Sequence, residues 1–389
     1  MADEAQNRGP LGELAKLFLR LGATAFGGPA AHIGMMHDEV VKRRKWMSDE
    51  QFLDLIGATN LIPGPNSTEM AMHIGFLKAG WRGLLIGGLS FMMPAVLIVL
   101  LFAWAYVRFG STPQASWLLY GVKPIVIAII IQALWNLGKK AINSRLLAAV
   151  GIGVISLYFL GINEIALLLF GGIAVMLAKN WRLLKGKAAA LLTIPSCGLM
   201  AVSQIPVNFS LIGLTLNMLK IGAVWYGSGY VLLAFLRADF VERLHWLTDQ
   251  QLINAVAIGQ ITPGPIFTAA TFIGYILGGF SGATLATFAI CLPSFVFVAI
   301  SNPLIPRIRK SKFAGSLLDG VNVAALGLMA AVTWQLGRAS LVDPFTICLG
   351  VVALFLLFRY RLNSVWVVMG GASAGLIWSL LNKSVSLFN

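Results

Sequence analysis

Residues Leu84–Tyr106 read LLIGGLSFMMPAVLIVLLFAWAY, a run that contains no charged residue. About twenty apolar residues in an α-helix cross the hydrocarbon core of a bilayer. Comparable runs follow at Trp117–Ala133 and Leu146–Ile162. Only 11% of the 389 residues are charged, against about 25% in soluble proteins, and the mean hydropathy is +0.82. These values exclude a soluble globular protein and predict an all-α integral membrane protein.

The net charge of +14 arises from 29 Lys and Arg residues against 15 Asp and Glu residues. Most basic residues stand in short loops between apolar runs, as the positive-inside bias produces, so we expect no nucleic-acid partner. Cys197, Cys291 and Cys348 are isolated, and neither CxxC nor HExxH occurs, so we expect no metal site and no disulfide framework. The acidic, polar start of the chain is not typical of a signal peptide.

The second half of the sequence repeats the first at a spacing of 200 residues. Identities at this spacing join Val41 to Val241, Arg43 to Arg243, Trp46 to Trp246, and Pro63-Gly64-Pro65 to Pro263-Gly264-Pro265. After a one-residue deletion the spacing is 199, which pairs Pro94 with Pro293 and Trp135 with Trp334. So constant a spacing indicates a tandem duplication. We expect an N-terminal membrane repeat over 1–187, a linker over 188–209 and a C-terminal membrane repeat over 210–389.

Each half holds six apolar segments, which lie near 11–31, 50–76, 82–107, 116–137, 146–161 and 164–178, and near 210–236, 250–277, 282–302, 315–337, 344–358 and 364–382. The loops at 78–82, 139–145, 179–187, 307–312 and 359–361 carry fifteen Lys and Arg residues, so we expect them to be cytoplasmic. The loops at 108–115, 161–164, 278–281 and 338–343 carry only Arg108 and Arg338. Equivalent loops have opposite charge bias, which predicts an inverted repeat, as in many secondary transporters.

Two topologies satisfy these loop charges. In the first, thirteen segments span the membrane, counting the joining run 188–207, and the N-terminus is inside. In the second, the segment of each half that contains Pro-Gly-Pro, at 63–65 or 263–265, is a re-entrant hairpin, and the joining run does not span. This topology places Lys42–Lys45 inside and the N-terminus outside. The sequence therefore predicts 10–13 transmembrane segments and leaves both topologies open.

A Pro-Gly-Pro motif interrupts one apolar segment of each half, at 63–65 and 263–265. Proline removes a backbone donor and clashes with the preceding helical turn, so the motif should end one helix and start another. Asn66 or Ser67 is a predicted N-cap, and Asn66 with Glu69 has capping-box spacing. Each helix start would present free N–H groups and a positive dipole end, which suit an anion. Because interrupted helices at matching positions mark transport sites, we favour a site over a simple proline kink.

Charged residues inside apolar segments are functional candidates, since a charge at the bilayer centre costs about 2.5–3.5 kcal/mol on insertion scales. Arg20 and Lys220 occupy equivalent positions, where they could attract an anion or extend to the membrane interface. Glu69 stands opposite Ala269 in the repeat and is either a helix cap or a proton carrier. Asp54 is a weaker candidate for proton coupling.

Two further charge patterns and one histidine are predicted to be structural. The pairs Glu39–Arg43 and Asp239–Arg243 have i,i+4 spacing beside Trp46 and Trp246, which predicts helix stabilisation and anchoring at the interface. His73 follows Glu69 by four residues, and a single histidine in an apolar segment is more often structural than functional.

The first half contains Phe26-Gly27-Gly28-Pro29, then Val41, Trp46 and Pro63-Gly64-Pro65. This spaced pattern resembles that of the chromate ion transporter family, in its long-chain form, and the resemblance covers essentially the whole chain. The second half departs from it, with Tyr226-Gly227-Ser228-Gly229 in place of Phe-Gly-Gly-Pro. The resemblance implies two halves of opposite orientation, a bacterial inner-membrane location, and export of chromate from the cytoplasm driven by the proton gradient.

Together these inferences give a set of expected site residues. We assign substrate binding to Arg20, Lys220, Gly27, Gly28, Pro63, Gly64, Pro65, Asn66, Ser67, Thr68, Pro263, Gly264, Pro265 and Thr268, and proton coupling to Glu69 and Asp54. An enzyme and a cofactor are not expected, because the glycine pairs do not follow a strand of a βαβ unit. The expected partners are chromate or sulfate, protons, membrane lipid and, as one possible assembly, a second copy of the chain. A sulfate or other oxyanion transporter and an anion channel are the alternatives.

Overall fold

The computed structural model describes residues 11–26, 28–110, 112–184, 208–226, 229–301 and 312–386, and its elements there are helices. The first half comprises α1 (Leu11–Thr24), α2 (Pro29–His37), α3 (Asp49–Thr59), α4 (Asn66–Phe109), α5 (Pro113–Ala141), α6 (Arg145–Phe159) and α7 (Glu164–Leu184). The second half comprises α8 (Leu211–Val224), α9 (Leu232–Leu236), α10 (Asp249–Ile261), α11 (Ala269–Ser301), α12 (Lys312–Ser340), α13 (Pro344–Phe355) and α14 (Ser364–Ser386). The all-α prediction is confirmed.

The sequence repeat recurs in the elements. A π-helical turn continues α2 at Asp38–Arg43, and another continues α9 at Arg237–Arg243. The N-caps of α3 and α10, Ser48 and Thr248, both form capping boxes with the glutamine three residues later. The start and end of α5 recur in α12 at the spacing of 199 residues. Residues 188–207 of the predicted linker 188–209 lie outside the described residues, so the expected boundaries of the two repeats stay predictions.

Both α4 and α11 are helical hairpins rather than straight rods. Ala79 and Gly80 break α4 with φ −144° and 58°, and Gly278 and Gly279 break α11 with nearly the same angles, −140° and 59°. A side chain at Gly75 would collide with the carbonyl of Gly83, so the two arms of α4 fold back against each other. The same contact joins residues 274 and 282 of α11. Glycine is needed at these positions because the two backbones touch.

The first predicted segment of each half is broken in the structure. Sequence analysis treated 11–31 and 210–236 as single segments, but α1 ends at Thr24 and α2 begins at Pro29. Gly28 is the N-cap of α2 with φ 79°, and proline is well suited to the first helical position, so the chain turns there. Gly27 lies outside the described residues. Each half therefore contains a second interrupted segment besides its Pro-Gly-Pro segment.

The two halves interlock through close helix contacts. Gly171 and Gly172 of α7 pack against α12, where a side chain at Gly320 would strike the carbonyl of Gly171. In the reciprocal contact, Gly121 of α5 meets α14. Small residues at such contacts let helix backbones approach, as they do inside membranes. Neither half could therefore be removed without exposing the helices of the other.

Among the residues that the structure describes, six helices are long and apolar enough to cross a membrane by length and composition: 66–109, 113–141, 164–181, 266–301, 313–340 and 364–381. Two of these, 66–109 and 266–301, are the hairpins. Large apolar side chains such as Leu97, Leu101 and Phe288 are exposed on their outer faces, as lipid contact requires. At 1.5 Å per residue, α3 is only about 16 Å long, so it cannot cross the roughly 30 Å hydrocarbon core by itself.

Candidate transport site

The first Pro-Gly-Pro motif separates α3 from α4. Gly64 has φ 139°, a backbone conformation that residues with a side chain rarely adopt. Pro65 is the N-cap of α4 and has no side-chain acceptor for the first turn, so the helix begins at Asn66 without a side-chain cap. The backbone N–H groups of Thr68 and Glu69 donate to the carbonyl of Pro65 at 2.8 and 3.0 Å. The predicted interruption is therefore present, and it leaves an uncapped helix start.

The predicted cap at Asn66 or Ser67 is wrong. Because Pro65 occupies the N-cap position, Asn66 is already helical, and its side-chain amide donates instead to Oδ1 of Asn60 at 2.8 Å. Glu69 completes no capping box, since neither of its carboxylate oxygens has a hydrogen-bond partner among the described residues. The first N–H groups of a helix lack carbonyl partners within the helix, so this start suits an anion.

The second Pro-Gly-Pro motif has the same form. Gly264 has φ 94°, and Pro265 is an N-cap without a side-chain hydrogen bond. A 3₁₀ turn, Ile266–Thr268, leads into α11, and the Thr268 hydroxyl donates to the carbonyl of Pro265 at 3.0 Å. Every residue from Pro263 to Thr268 is buried. This second helix start therefore lies wholly inside the protein.

Each Pro-Gly-Pro loop lies against the hairpin of the other half. A side chain at Gly64 would collide with the hydroxyl of Ser294 on α11, and one at Gly264 would lie 2.9 Å from Cβ of Ala95 on α4. Ala95 and Ser294 are equivalent at the spacing of 199 residues, so the two contacts repeat each other. The backbone N–H of Gly264 also donates to the carbonyl of Ala25, just after α1, at 2.9 Å. We call this place, where the two loops meet α4 and α11, the crossing region.

Glu69 is an acidic residue of the crossing region. Its side chain is fully buried, and a side chain at Gly64 would collide with its Oε1 as well as with Ser294. The Ser294 hydroxyl lies beside the Glu69 carboxyl group, but the geometry between Oγ of Ser294 and the carboxylate oxygens is not that of a hydrogen bond. Among the described residues Glu69 has no ion-pair partner, which is unusual because an unpaired buried carboxylate is costly.

The two loops differ in the polarity of the residues that follow them. Ser67, Thr68, Glu69 and His73 are all buried in the first half. Their equivalents at the spacing of 200 residues are Phe267, Thr268, Ala269 and Ile273. Asp54, the second candidate for proton coupling, is exposed on α3. The polar part of the crossing region is therefore built mainly by the first loop and by Ser294.

Arg20 and Lys220 each pair with a carboxylate of their own half. Nη2 of Arg20 lies 2.7 Å from Oε1 of Glu39, and Nζ of Lys220 lies 2.6 Å from Oδ2 of Asp239. The predicted pairs to Arg43 and Arg243 are present on the same carboxylates, at 2.8 and 2.7 Å. The Arg20 side chain is 51% exposed and that of Lys220 39%, whereas both carboxylates are buried.

Both cations therefore belong to ion-pair clusters on the π-helical turns. The described side-chain contacts of Arg20 and Lys220 stay within these clusters, and none reaches a Pro-Gly-Pro loop. The sequence analysis treated the symmetric cations and the i,i+4 pairs as separate features, whereas the structure joins them. An anion that reached Arg20 would have to compete with Glu39.

Sequence reasoning missed three residues of the crossing region. Besides Ser294 they are Tyr226, whose hydroxyl donates to the carbonyl of Asn60, and His32, whose Nε2 lies 3.1 Å from the carbonyl oxygen of Ala25. Each of these three residues contacts a segment that is distant in the sequence or belongs to another element, so its contact could not be read from the local sequence. Only Ser294 had a signal, because it follows Pro293, which the repeat pairs with Pro94.

The chromate transporter family model matches the chain twice, over residues 12–176 and 212–376. The chain belongs to the chromate transporter family. The chromate transport protein of Cupriavidus metallidurans is 34% identical over 378 residues, which cover 94% of this chain and 93% of that protein. The chromate transport protein of Pseudomonas aeruginosa is 30% identical over 387 residues, with 93% and 91% covered. No solved structure matches the chain.

A shorter relative matches only part of the chain. An uncharacterized transporter of Bacillus subtilis is 27% identical over 158 residues, which are 39% of this chain and 89% of that protein. Family membership and the six apolar helices identify a multi-pass bacterial membrane protein of the chromate transporter family.

Proposed function

We propose that this protein is a secondary transporter that exports chromate from the cytoplasm in exchange for protons. The observation that carries the proposal is the crossing region. There the buried carboxyl group of Glu69, on the uncapped start of α4, lies beside Ser294 of α11, and the loop before the uncapped start of α11 lies against Ala95 of α4. Chromate transport as such is supported by the family match and by the names of the relatives. The outward direction and the proton coupling are the finer part of the proposal.

The two helix starts give a plausible receptor for a tetrahedral dianion. Each has proline at the N-cap and no side-chain cap, so backbone N–H groups and the positive end of the helix dipole are left for a ligand. The hydroxyls of Ser67, Thr68 and Ser294 are buried nearby, and those of Thr68 and Ser294 have no described hydrogen-bond partner. Hydroxyl and N–H donors bind an oxyanion without a buried cation that would hold it permanently.

Glu69 supplies a route for the coupling proton. A dianion and an ionised carboxylate repel each other in the low dielectric of the interior, so both cannot occupy the crossing region at low cost. In exchange, the proton and chromate compete for this one space: chromate enters after Glu69 has released its proton and its side chain has turned away, and Glu69 takes up a proton again once chromate has left. Because Glu69 has no described ion-pair partner, it can exchange a proton without breaking a salt bridge.

Sulfate has the same charge and tetrahedral shape as chromate, so backbone N–H groups alone distinguish the two poorly. Competition by sulfate is therefore part of the test rather than a separate function. We expect excess sulfate to reduce chromate flux, with the apparent affinities of the two anions deciding which is the better substrate.

The test uses the purified chain in sealed liposomes with radiolabelled chromate outside and an imposed pH gradient. When the lumen is acidic, protons leave and chromate should accumulate inside above its external concentration. Reversing or collapsing the gradient should reduce uptake to simple equilibration, and protein-free liposomes provide the background. Uptake no faster than the background would refute chromate transport, and fast uptake that ignores the pH gradient would indicate an anion channel instead.

A further inference from the structure

We infer that His32 is a positioning residue of the transport site, because its imidazole and the second Pro-Gly-Pro loop share one hydrogen-bond acceptor, the carbonyl oxygen of Ala25. The inference rests on the proposed function for what the site does, and on separate geometry for how the site is held together. No feature of the sequence analysis assigned a role to His32.

The carbonyl of Ala25 joins elements from both halves of the chain. Nε2 of His32, in the first turn of α2, lies 3.1 Å from this oxygen, and the backbone N–H of Gly264 donates to it at 2.9 Å. A carbonyl oxygen can only accept hydrogen bonds, so Nε2 must carry the ring proton. The imidazole is thus a donor, and one carbonyl with two lone pairs binds a first-half helix and a second-half loop.

The surroundings keep both donors in place. The His32 ring is 1% exposed and packs edge-on against Phe91 of α4, with ring centroids 5.6 Å apart. Gly22 of α1 packs closely against the backbone of Phe91, because a side chain at Gly22 would strike the Phe91 carbonyl. Gly22 also lies beside the second loop, since its carbonyl oxygen is 3.2 Å from the position that a Cβ of Gly264 would occupy. His32 is therefore part of a ring of contacts around Gly264, which has a φ of 94°.

The other half uses a different group for the equivalent task. The position that matches His32 at the spacing of 200 residues is Leu232, which has no polar atom in its side chain. In the first half, the hydroxyl of Tyr226 from the second half donates to the carbonyl of Asn60, the C-cap of α3, three residues before Pro63. In both halves a side chain therefore donates to a backbone carbonyl beside a Pro-Gly-Pro loop: Tyr226 to Asn60, and His32 to Ala25, which also accepts the backbone N–H of Gly264.

Nδ1 of His32 supports a positioning role over simple packing. It is buried and has no hydrogen-bond partner among the described residues. A buried polar atom without a partner is unfavourable, and an apolar side chain such as that of Leu232 avoids the cost. Histidine at this position therefore needs a compensating benefit, which the hydrogen bond to Ala25 provides.

Three substitutions distinguish the effect of the hydrogen bond to Ala25 from the effect of the size of the imidazole ring. His32→Gln keeps an N–H donor at about the reach of Nε2, His32→Asn moves the donor to about the reach of Nδ1, and His32→Leu removes it. We expect the Gln variant to keep the KM for chromate within about twofold of the native value. The Asn and Leu variants should raise it about tenfold with a smaller change in maximal rate, as expected when one hydrogen bond that positions the site is lost.

A second measurement is independent of the substrate. Hydrogen–deuterium exchange of peptides that cover residues 259–266 should be faster in the Asn and Leu variants than in the native protein, and unchanged in the Gln variant. Thermal unfolding in detergent checks that all variants are folded. If exchange depends on the donor but the native protein moves no chromate, the positioning role stands and the proposed function fails. Equal exchange in all four proteins, or equal KM in all four, would overturn the inference.

Discussion

Glu39 is the residue on which the charges of the first half converge. It pairs with Arg20 at 2.7 Å, Arg43 at 2.8 Å and Arg44 at 3.4 Å. Burial opposes ionisation of this carboxyl group, but the hydrogen bonds and charges of Arg20, Arg44 and Arg43 outweigh it and hold the pKa of Glu39 below its usual value. Glu39 is therefore the structural centre of its cluster, and the cations around it are only partly available to a substrate.

The lowered pKa of Glu39 gives a pH-dependent contribution to stability. A carboxyl group with a folded-state pKa below its unfolded value contributes fully above the unfolded pKa, and the contribution is lost as the pH falls through the lowered pKa. We expect Glu39→Gln to destabilise the protein by about 1–2 kcal/mol at neutral pH, and the difference to shrink in acid. Thermal unfolding in detergent at several pH values measures it. Glu50→Gln, at an exposed position on α3, should have little effect at any pH.

The roles of Arg20 and Lys220 are tested by removing each cation and, for Arg20, by removing the carboxylate with which it pairs. If these cations attract the substrate, Arg20→Gln and Lys220→Gln should raise the KM for chromate about three- to tenfold, and Glu39→Gln, which frees Arg20, should lower it. Arg20→Lys should retain more function than Arg20→Gln, although lysine lacks the planar fork that matches an oxyanion. Lys16→Gln, on the exposed face of the same helix, is the control. A KM that rises in Glu39→Gln as well would reduce Arg20 to a structural anchor.

At the residue scale, the sequence predicted what lies close along the chain and missed what meets across it. Glu69 stood out because it follows the Pro-Gly-Pro motif directly. The assignment of its cap failed because a proline, not a polar residue, occupies the N-cap. Ser294 and His32 owe their positions to contacts between helices, and no spacing in the sequence reveals which carbonyl or hydroxyl they meet.

At the element scale, the hairpins α4 and α11 determine where the Pro-Gly-Pro loops lie. The repeat and the two interruptions were readable from proline and glycine, which act on the local backbone. The break between α1 and α2 was not predicted, since an apolar run conceals a turn that only Gly28 and Pro29 mark. The turn of each hairpin lies in a predicted loop, 78–82 or 278–281. The close contact between glycines of the two arms, however, could not be predicted from hydropathy.

The hairpin contact gives a prediction with a matched control. A methyl group at Gly75 would collide with the carbonyl of Gly83, whereas one at Gly138, in the last turn of α5, would meet no atom within 4 Å. We expect Gly75→Ala to destabilise the protein by about 1–3 kcal/mol through overpacking. Gly138→Ala should be neutral or stabilising by up to about 1 kcal/mol, since alanine favours the helix. Thermal unfolding of both variants in detergent decides, and equal stability would mean that the arms of α4 separate easily.

At the scale of the whole molecule, the two halves interlock and share one crossing region, so their relative orientation matters for transport. Loop charge predicts that the halves are inverted, with loop 307–312 cytoplasmic and the C-terminus outside. The turns of the hairpins α4 and α11 lie among the described residues and provide positions at which this orientation can be tested. Trp81 and Phe280 are equivalent at the spacing of 199 residues and are exposed, 61% and 70% respectively.

Cysteine labelling measures the orientation directly. In a variant without Cys197, Cys291 and Cys348, a single Phe280→Cys should react with a membrane-impermeant reagent added outside cells. Trp81→Cys, and a cysteine beside Lys312, should react only after the membrane is permeabilised. Labelling of both turns from the same side would contradict the inverted repeat. The same method applied to the N-terminus chooses between thirteen spans and two re-entrant hairpins.

We propose that chromate and a proton alternate at Glu69, and this is tested by measuring the two fluxes together. Liposomes that contain the native protein and a luminal pH indicator should show proton efflux from an acidic lumen only when chromate is added outside, in step with chromate uptake. Glu69→Gln should still bind chromate in detergent but lose both the proton efflux and the response to the gradient, while Asp54→Asn keeps both. A Glu69→Gln protein that still accumulates chromate against its gradient, with full proton efflux, would contradict the account.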